Sequence, residues 1–598
     1  MIHWFQPVSA APHRSKAIAT SPTGDAAAAL ITSINRLISW VLSFLWRWSA
    51  PIVIFCTAFI PRWSLAHTLD LVTDESTYIP VGRFDVALLQ YGKLQNPYWH
   101  INYEAPSLPK LIIGVGSLIG SSRDTLDGFL LGARIPGVLL GALAIVLAYW
   151  LARPIFGKIP ALLGALALAL SPWAAYFAAI AYLDSYLLDF ATVAVLLAWH
   201  AARKPWLLLL VGVLLALGFD SKYTGAFATL PVALYLAYFY FFEVRRRPPW
   251  QILLVAPILF GVIYLADPSI WVEPVGRLSE SIGYQWEHAA KGHNVFLNGV
   301  VLSHVPPGEV IYILFAKMSL FVIVPAFLAL PWCAYRLIQA RRRPTRLDDR
   351  AAFALSWFSM LLPFGLLNIV VGTHYMLPLA PAVTFVGAWA LLGAARWLGP
   401  RLAADGLTWL RRLPITRLHQ RLPKLLTAKS RRYAAFALIA VASLLLTVPP
   451  AYGLATIPQA EGYTSEWLKS ENATLQVAYP GYADAIDWVT DHTTGYVTVT
   501  LIANKGSLDY WRDYRQSLFP ARIRMRFVTP EDRVSGRIGD QPLPNPVSKT
   551  EYVIWPAHLI QRGFSTLPNW QSHVVATIGG GGTIYCYILA LPAPGKTG

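Results

Sequence analysis

Apolar runs long enough to cross a bilayer recur along this chain, and no other feature limits its fold as much. A hydrocarbon core of about 30 Å needs roughly 20 apolar residues in a helix, and every backbone N–H and C=O in lipid must be paired within its own segment. Eleven candidate spans can be read, at 42–66, 128–152, 159–180, 184–201, 205–220, 223–243, 251–267, 309–338, 352–371, 374–398 and 433–455. Composition agrees, with 55% hydrophobic and 14% charged residues, where a soluble domain has about 25% charged. A soluble globular enzyme, a disordered chain and a coiled coil are thereby excluded. The stretch 107–121 is apolar but too short to cross, and reads as an interfacial or re-entrant helix. Cys56, Cys333 and Cys586 lie far apart and match neither a disulfide framework nor a metal-ligand spacing.

The formal charge of +17 is read against topology before any other partner. With the N-terminus in the cytoplasm, the inner loops carry Arg153 and Lys158, Arg203 and Lys204, Arg245 to Arg247, and Arg336 to Arg350, and the loop 399–432 adds nine more basic residues. The outer loop 268–308 has only Arg277 and Lys291 against Asp267, Glu273, Glu280 and Glu287. This is the positive-inside pattern, and it accounts for much of the charge without nucleic acid. The basic loop 399–432, with Leu and Trp interleaved, is expected to lie on the anionic inner leaflet.

The expected fold class is a polytopic α-helical membrane protein. Residues 1–40 read as a disordered cytoplasmic N-terminus with no convincing cleavable signal, 41–455 as the transmembrane domain, and 456–598 as an extracytoplasmic α/β domain. In that last part LQVAYPG, YVTVTLIAN, EYVIWPAHL and GTIYCYILAL read as strands and YADAIDWVTDH as a helix. Asn472-Ala473-Thr474 is a glycosylation sequon on the outer side.

Ionisable residues near span ends collect on the outer face. The first outer loop, 67–127, carries Asp70, Asp74, Glu75, Asp85, Glu104 and Lys110; Asp184 follows the third span, Asp220 and Lys222 cap the fifth, and His374 sits between the ninth and tenth. Charged groups at such depth are costly and are functional candidates by default. Each has a blander reading: Asp184 as a span terminus, Lys222 as a snorkelling lysine, His374 as a hydrogen-bonded interfacial histidine. Together, carboxylates and cations beside a bilayer suit proton removal from a hydroxyl and neutralisation of a departing lipid phosphate.

These residues sit in motifs that resemble glycosyltransferase family 39, the dolichyl-phosphate-mannose–protein mannosyltransferases and the related aminoarabinose transferases of the GT-C membrane fold. LVTDESTY is similar to the family's Asp-Glu motif. NYEAPSLPKLIIG is similar to its His-Pro-Pro-Leu-Gly-Lys stretch, with Pro106, Leu108 and Lys110 in register but Ala105 and Ser107 departing from it. AYLDSYLLDF resembles the second acidic motif, with Asp184 as its acid, and DSKYTG resembles the Val-Lys-Trp-Val-Gly stretch, which places Lys222. GHNVFLNG resembles the Gly-His segment, which places His293, and GTHYMLPLAP the Arg-Tyr-Leu-Leu-Pro segment, with His374 in place of the arginine, followed by Tyr375. The six motifs cover about residues 60–400, in the family's order.

The resemblance implies inverting transfer of a mannose-like monosaccharide from a polyprenyl-phosphate donor to a hydroxyl acceptor of unknown identity on the extracytoplasmic side. It implies Asp74, Glu75 and Asp184 as catalytic residues, with Asp74 the general base and Glu75 orienting the acceptor or the loop. Glu104, Lys110, Lys222, His293, His374 and Tyr375 would bind substrate and lipid phosphate. No cofactor is expected to be obligatory, and a divalent cation is optional. The competing readings are a transporter or lipid flippase, which predicts inverted repeats that are not evident, and a GT-C enzyme of the oligosaccharyltransferase or ligase type, to which Tyr510-Trp511-Arg512-Asp513-Tyr514 bears a superficial likeness.

Overall fold

The computed structural model describes residues 48–72, 74–121, 126–292, 294–340, 344–367, 372–411, 424–468, 472, 474–477, 479–503, 520–528, 550–563 and 569–592. Among them, seven helices are long and apolar enough to cross a membrane, or up to eight if a bent pair counts as one span. The seven are Trp48–Thr68, Gly128–Phe156, Leu183–Ala201, Tyr223–Glu243, Leu320–Gln339, Thr373–Arg401 and Arg432–Thr456.

The remaining candidate spans are broken or fall short of a full span. The run 159–180 breaks into Lys158–Ala169 and Pro172–Ala179, bent by 58°. Ser171 caps the second helix by accepting from Ala174 N, and Pro172 follows it, a pairing that starts a helix afresh. The runs 205–220 and 251–267 form 15-residue helices, Leu207–Ser221 and Ile252–Ala266. Within 352–371, the helix Arg346–Phe358 gives way to a 3-10 turn and then to Leu362–Leu366. The run 309–338 becomes two helices, Pro307–Lys317 and Leu320–Gln339.

Burial sorts the helices. Leu183–Ala201 and Thr373–Arg401 are 78% buried over their most apolar windows, whereas Arg432–Thr456 is 17% buried. The first two form the centre of the bundle, and the last presents its apolar surface outward, as lipid contact requires.

The segment 67–127 folds into α1 (Glu75–Gln90) and α2 (Leu108–Ser121), which packs beside α3 (Leu126–Phe156). Glycines permit the close approach. A Cβ on Gly82 would lie 2.0 Å from Lys110 O, and one on Gly114 would lie 2.2 Å from Gly82 O. Backbones in contact through small residues are the usual device for helix association in lipid. Between the spans, Pro274–Lys291 is followed by a hairpin of Val295–Leu297 and Val300–Leu302. Its Asn298-Gly299 turn has φ of 51° and 81°, as a two-residue hairpin turn demands.

The C-terminal part builds a five-stranded sheet. We number its strands β1 (Val497–Ile502), β2 (Ile523–Val528), β3 (Thr550–Pro556), β4 (Val574–Gly580) and β5 (Thr583–Pro592); their order across the sheet is β2-β1-β3-β5-β4. β1 pairs in parallel with β2 and β3, and β5 is antiparallel to β3 and β4. All six residues of β1 are buried, the pattern of a central parallel strand. Helix Tyr482–Asp491 forms where the sequence indicates it. Among the described residues of LQVAYPG there is one isolated bridge, Leu475 to Leu297, and no strand. Asn472 is also not presented as a glycan acceptor: its amide donates to Ile584 O and accepts from Ile584 N.

Ile54–Gly598 forms one compact unit. The C-terminal part is fastened to the helices by Lys317, which donates to Glu461 O at 2.7 Å, by Trp467 Nε1 to Phe315 O at 2.8 Å, and by Ser465 N to Ala316 O at 2.7 Å.

Candidate active site

A cavity of about 790 Å³ opens where the helix ends meet the C-terminal part, and both contribute to its wall. Of the described residues expected at the site, Asp74, Glu104, Lys222, His374 and Tyr375 line it. Glu75, Asp184 and Lys110 stand behind that wall, buried at 0%, 1% and 2% exposure. His293 lies outside the described residues, as do Tyr510 to Tyr514 and the centre of the basic loop, 412–423.

Asp74 is held by its neighbour. It precedes the first turn of α1, and its carboxylate accepts a hydrogen bond from the Tyr182 hydroxyl. Glu75 points the other way. Arg134, in the third turn of α3, donates to Glu75 Oε1 at 2.7 Å and to Oε2 at 2.6 Å. The same guanidinium donates to the carbonyls of Ala66, Leu69 and Asp70 at 3.0, 2.6 and 2.9 Å. Glu75 also accepts from Val72 N at 3.0 Å and Ala181 N at 2.7 Å. One buried ion pair therefore ties together the end of the first span, the turn carrying Asp74 and the loop carrying Tyr182. With four hydrogen bonds and no exposure, Glu75 is turned away from the cavity and holds the turn that carries Asp74.

Lys222 occupies an extended break between Leu207–Ser221 and the 3-10 turn Tyr223–Ala228. Gly225 makes the break tight, since a Cβ there would lie 2.2 Å from Gly218 O. Lys222 Nζ donates to both carboxylate oxygens of Asp184, at 2.9 Å each, and lies 3.7 Å from the centre of the Tyr375 ring. Its side chain keeps 17% exposure while that of Asp184 keeps 2%. Asp184 is thus the counter-ion of Lys222, and the ammonium is the partner that reaches the cavity. His374 packs between the two halves of the site, 5.4 Å from the Tyr182 ring and 4.7 Å from the Tyr375 ring.

Lys110 holds backbone. Its Nζ donates to Asn102 O at 2.9 Å and Ala105 O at 2.8 Å. Gln285 Nε2 donates to Glu104 O at 2.7 Å, and Asn102 Nδ2 to Glu104 Oε1 at 2.6 Å. The loop bearing Glu104 is clamped from both sides, which sets that carboxylate at the cavity wall. Asp85, in α1, is 2% exposed; burial pushes its carboxyl up to about 7, with Lys110 opposing and Asp267 assisting the rise. Among the described residues no group of three or more His, Cys, Asp or Glu is arranged to hold a metal ion.

Reading span ends alone missed Arg134 and Tyr182. Arg134 had a usable signal, a lone arginine inside the apolar run GFLLGARIPGVLL, where a charge needs a partner. Tyr182 had none beyond adjacency to the second acidic motif.

Residues 123–266 match the family described as dolichyl-phosphate-mannose-protein mannosyltransferase. This stretch carries Arg134, Tyr182, Asp184 and Lys222. Curated protein sequences give no match. Among solved structures, ArnT from Cupriavidus metallidurans in the apo state is similar over 90% of this chain and 97% of its own, at 17% identity and a TM-score of 0.44. The Archaeoglobus fulgidus oligosaccharyltransferase tethered with an acceptor peptide is similar over 80% of this chain and 63% of its own, at 14% identity and a TM-score of 0.46. The S. cerevisiae protein O-mannosyltransferase Pmt1-Pmt2 complex, bound to the sugar donor, is similar over 43% of this chain and 42% of its own, at 18% identity and a TM-score of 0.29. Residues 123–266 are thus similar to that family, and the matched segment takes in Arg134, Asp184 and Lys222 of the site.

Proposed function

We propose that the protein is a membrane glycosyltransferase that moves one mannose-like sugar from a polyprenyl-phosphate donor to a hydroxyl acceptor, with inversion, on the extracytoplasmic side. The observation that carries this reading is the cavity flanked by an Asp74 carboxylate and a Lys222 ammonium, each set in place by a buried partner. Asp74 takes the proton of the acceptor hydroxyl as its oxygen attacks the anomeric carbon. The bond from that carbon to the phosphate oxygen breaks on the opposite face, and the polyprenyl phosphate leaves with the electron pair. Lys222 meets the charge that develops on the departing phosphate, while Asp184 keeps the ammonium aimed. His374 and Tyr375 pack against these two groups, and Glu104 faces the same cavity with a carboxylate that accepts hydrogen bonds from hydroxyls. The N-terminus is cytoplasmic in this scheme and the C-terminal sheet extracytoplasmic.

The test is transfer from a radiolabelled polyprenyl-phosphate mannose by purified protein in lipid, wild type beside Asp74→Asn. Loss of turnover by about 10²–10⁴-fold is expected from removing a general base. Equal turnover would discard Asp74; no turnover by either protein would discard the reaction. The scheme needs no obligatory cofactor, so turnover is expected to persist in EDTA, and its loss there with recovery on adding Mg²⁺ or Mn²⁺ would assign a divalent cation.

A further inference from the structure

Part of the cavity wall comes from the C-terminal part of the chain. β3 runs parallel to β1, and its carboxyl end leads straight into a short helix, Ala557–Gln561. In α/β sheets, ligands gather beyond the carboxyl ends of parallel strands. Here that end delivers His558 and Arg562 to the cavity lining, beside Gln476.

His558 is 6% exposed. Its ring is part of the lining, yet Nδ1 is enclosed and has no hydrogen-bond partner among the described residues. Enclosure disfavours the imidazolium, and the nearby Arg562 guanidinium disfavours it further, so the ring is pushed down to about 3 and is neutral. A neutral imidazole carries one N–H. An enclosed N–H without an acceptor is rarer in proteins than an acceptor left short of a donor, so the proton belongs on Nε2. With Nδ1 enclosed, Nε2 is the nitrogen left for the cavity.

We propose that His558 positions the transferred sugar, its Nε2–H donating to an uncharged hydroxyl of the monosaccharide, so that the C-terminal domain is part of the donor site. The inference rests on the donor reading above. A neutral donor suits a sugar hydroxyl, whereas the phosphate calls for a cation, which in the scheme above is Lys222. The acceptor hydroxyl belongs beside Asp74, which must take its proton.

The experiment measures affinity for two probes, undecaprenyl-phosphate mannose and undecaprenyl phosphate, by full-length protein in phosphatidylethanolamine–phosphatidylglycerol nanodiscs. His558→Phe removes the donor and keeps the volume, and His558→Gln restores an N–H near Nε2. The expected result is a loss of about 10-fold for the mannosyl lipid with His558→Phe, the worth of one hydrogen bond whose partner is left unsatisfied. Undecaprenyl phosphate should bind unchanged, and His558→Gln should recover most of the loss. His558→Asn, which lacks the donor at Nε2, gives the same reading should the Phe variant fail to fold. Equal weakening of both lipids would mean a structural role, and unchanged mannosyl-lipid affinity would mean no contact; either overturns the inference alone. Wild-type protein that binds neither lipid overturns the donor reading, and this inference with it.

Discussion

Replacing Arg134 with methionine should collapse the arrangement that aims Asp74. In the wild type, Glu75 accepts four hydrogen bonds at 0% exposure, two of them from Arg134, itself 1% exposed. The substitution leaves a buried carboxylate with two backbone donors and no cation. Breaking a buried ion pair by removing one partner costs about 3–5 kcal/mol. The carbonyls of Ala66, Leu69 and Asp70 also lose a donor each, which puts the expected loss at the upper end of that range. Glu75→Gln in the same background removes the stranded charge and should recover about 2–3 kcal/mol, the size of coupling seen between residues in direct contact. The assay is thermal unfolding in detergent for the wild type, both single variants and the double variant, with turnover measured on each below its transition. Turnover should fall about 10²-fold in Arg134→Met even where the protein stays folded, because a displacement near 1 Å at the reacting groups costs that much. Strictly additive effects in the four-protein set, or full turnover in Arg134→Met, would refute the positioning role.

Lys222→Gln should lower kcat/KM for the donor about 10²-fold, the worth of a charge-assisted contact to phosphate. Adding Asp184→Asn should restore thermal stability by removing the unpaired acid but leave turnover low; recovery of turnover would show that Lys222 serves the fold alone. Asp85, in a helix outside the membrane spans, gives a pH signature. Its folded-state value of about 7 lies above the 3.8 of an ordinary aspartate. The penalty is therefore absent below about pH 4, grows between about pH 4 and 7, and is full above, at about 4 kcal/mol as an upper figure. Asp85→Asn should accordingly raise the melting temperature at pH 8 and leave it unchanged at pH 4. A gain of the same size at both pH values would sink the assignment.

The apolar runs announced a helical bundle, but not where helices would stop. A run of hydrophobic residues reports transfer into lipid, not continuity, and the breaks turn on a Ser171-Pro172 helix start and on the close approach of Gly225 to the Gly218 carbonyl, which hydropathy does not register. Lys222 and Asp184 could each be picked out because a charge near a span end is expensive. That they would face each other, with the lysine toward the cavity, depends on packing of separate helices. Asp74 and Glu75 illustrate the limit most directly. Adjacent acids are equivalent on paper, and the difference between them is supplied by Arg134, 59 residues further on. Lys110 was read as a phosphate ligand, yet its ammonium turns inward to the carbonyls of Asn102 and Ala105 because α2 is drawn against α1 through Gly82 and Gly114. In the C-terminal part, VTVTLI was legible as a buried strand, whereas IRMRFV and VVATIGG were not picked out from the pattern. The arginines of the first and the glycines of the second weaken the apolar signal on which such a reading depends.

The two acids of the site differ in kind because their partners differ in charge. Asp184 faces an ammonium that donates to both of its oxygens at 2.9 Å. Taking a proton would cancel the charge that holds Lys222, in a place where an unpaired ammonium is costly to bury. It is therefore a poor base and a good anchor. Asp74 faces a neutral phenol, which donates to one oxygen and brings no positive charge. That contact fixes the carboxylate without neutralising it, and Asp74 remains half-buried on the cavity wall while Asp184 lies behind it. A base must be both oriented and unspent. In the proposed reaction Asp74 meets both conditions, and exchanging the partners, a cation for Tyr182 or a neutral residue for Lys222, should slow transfer for opposite reasons: the first by quenching the base, the second by leaving the phosphate without its counter-charge.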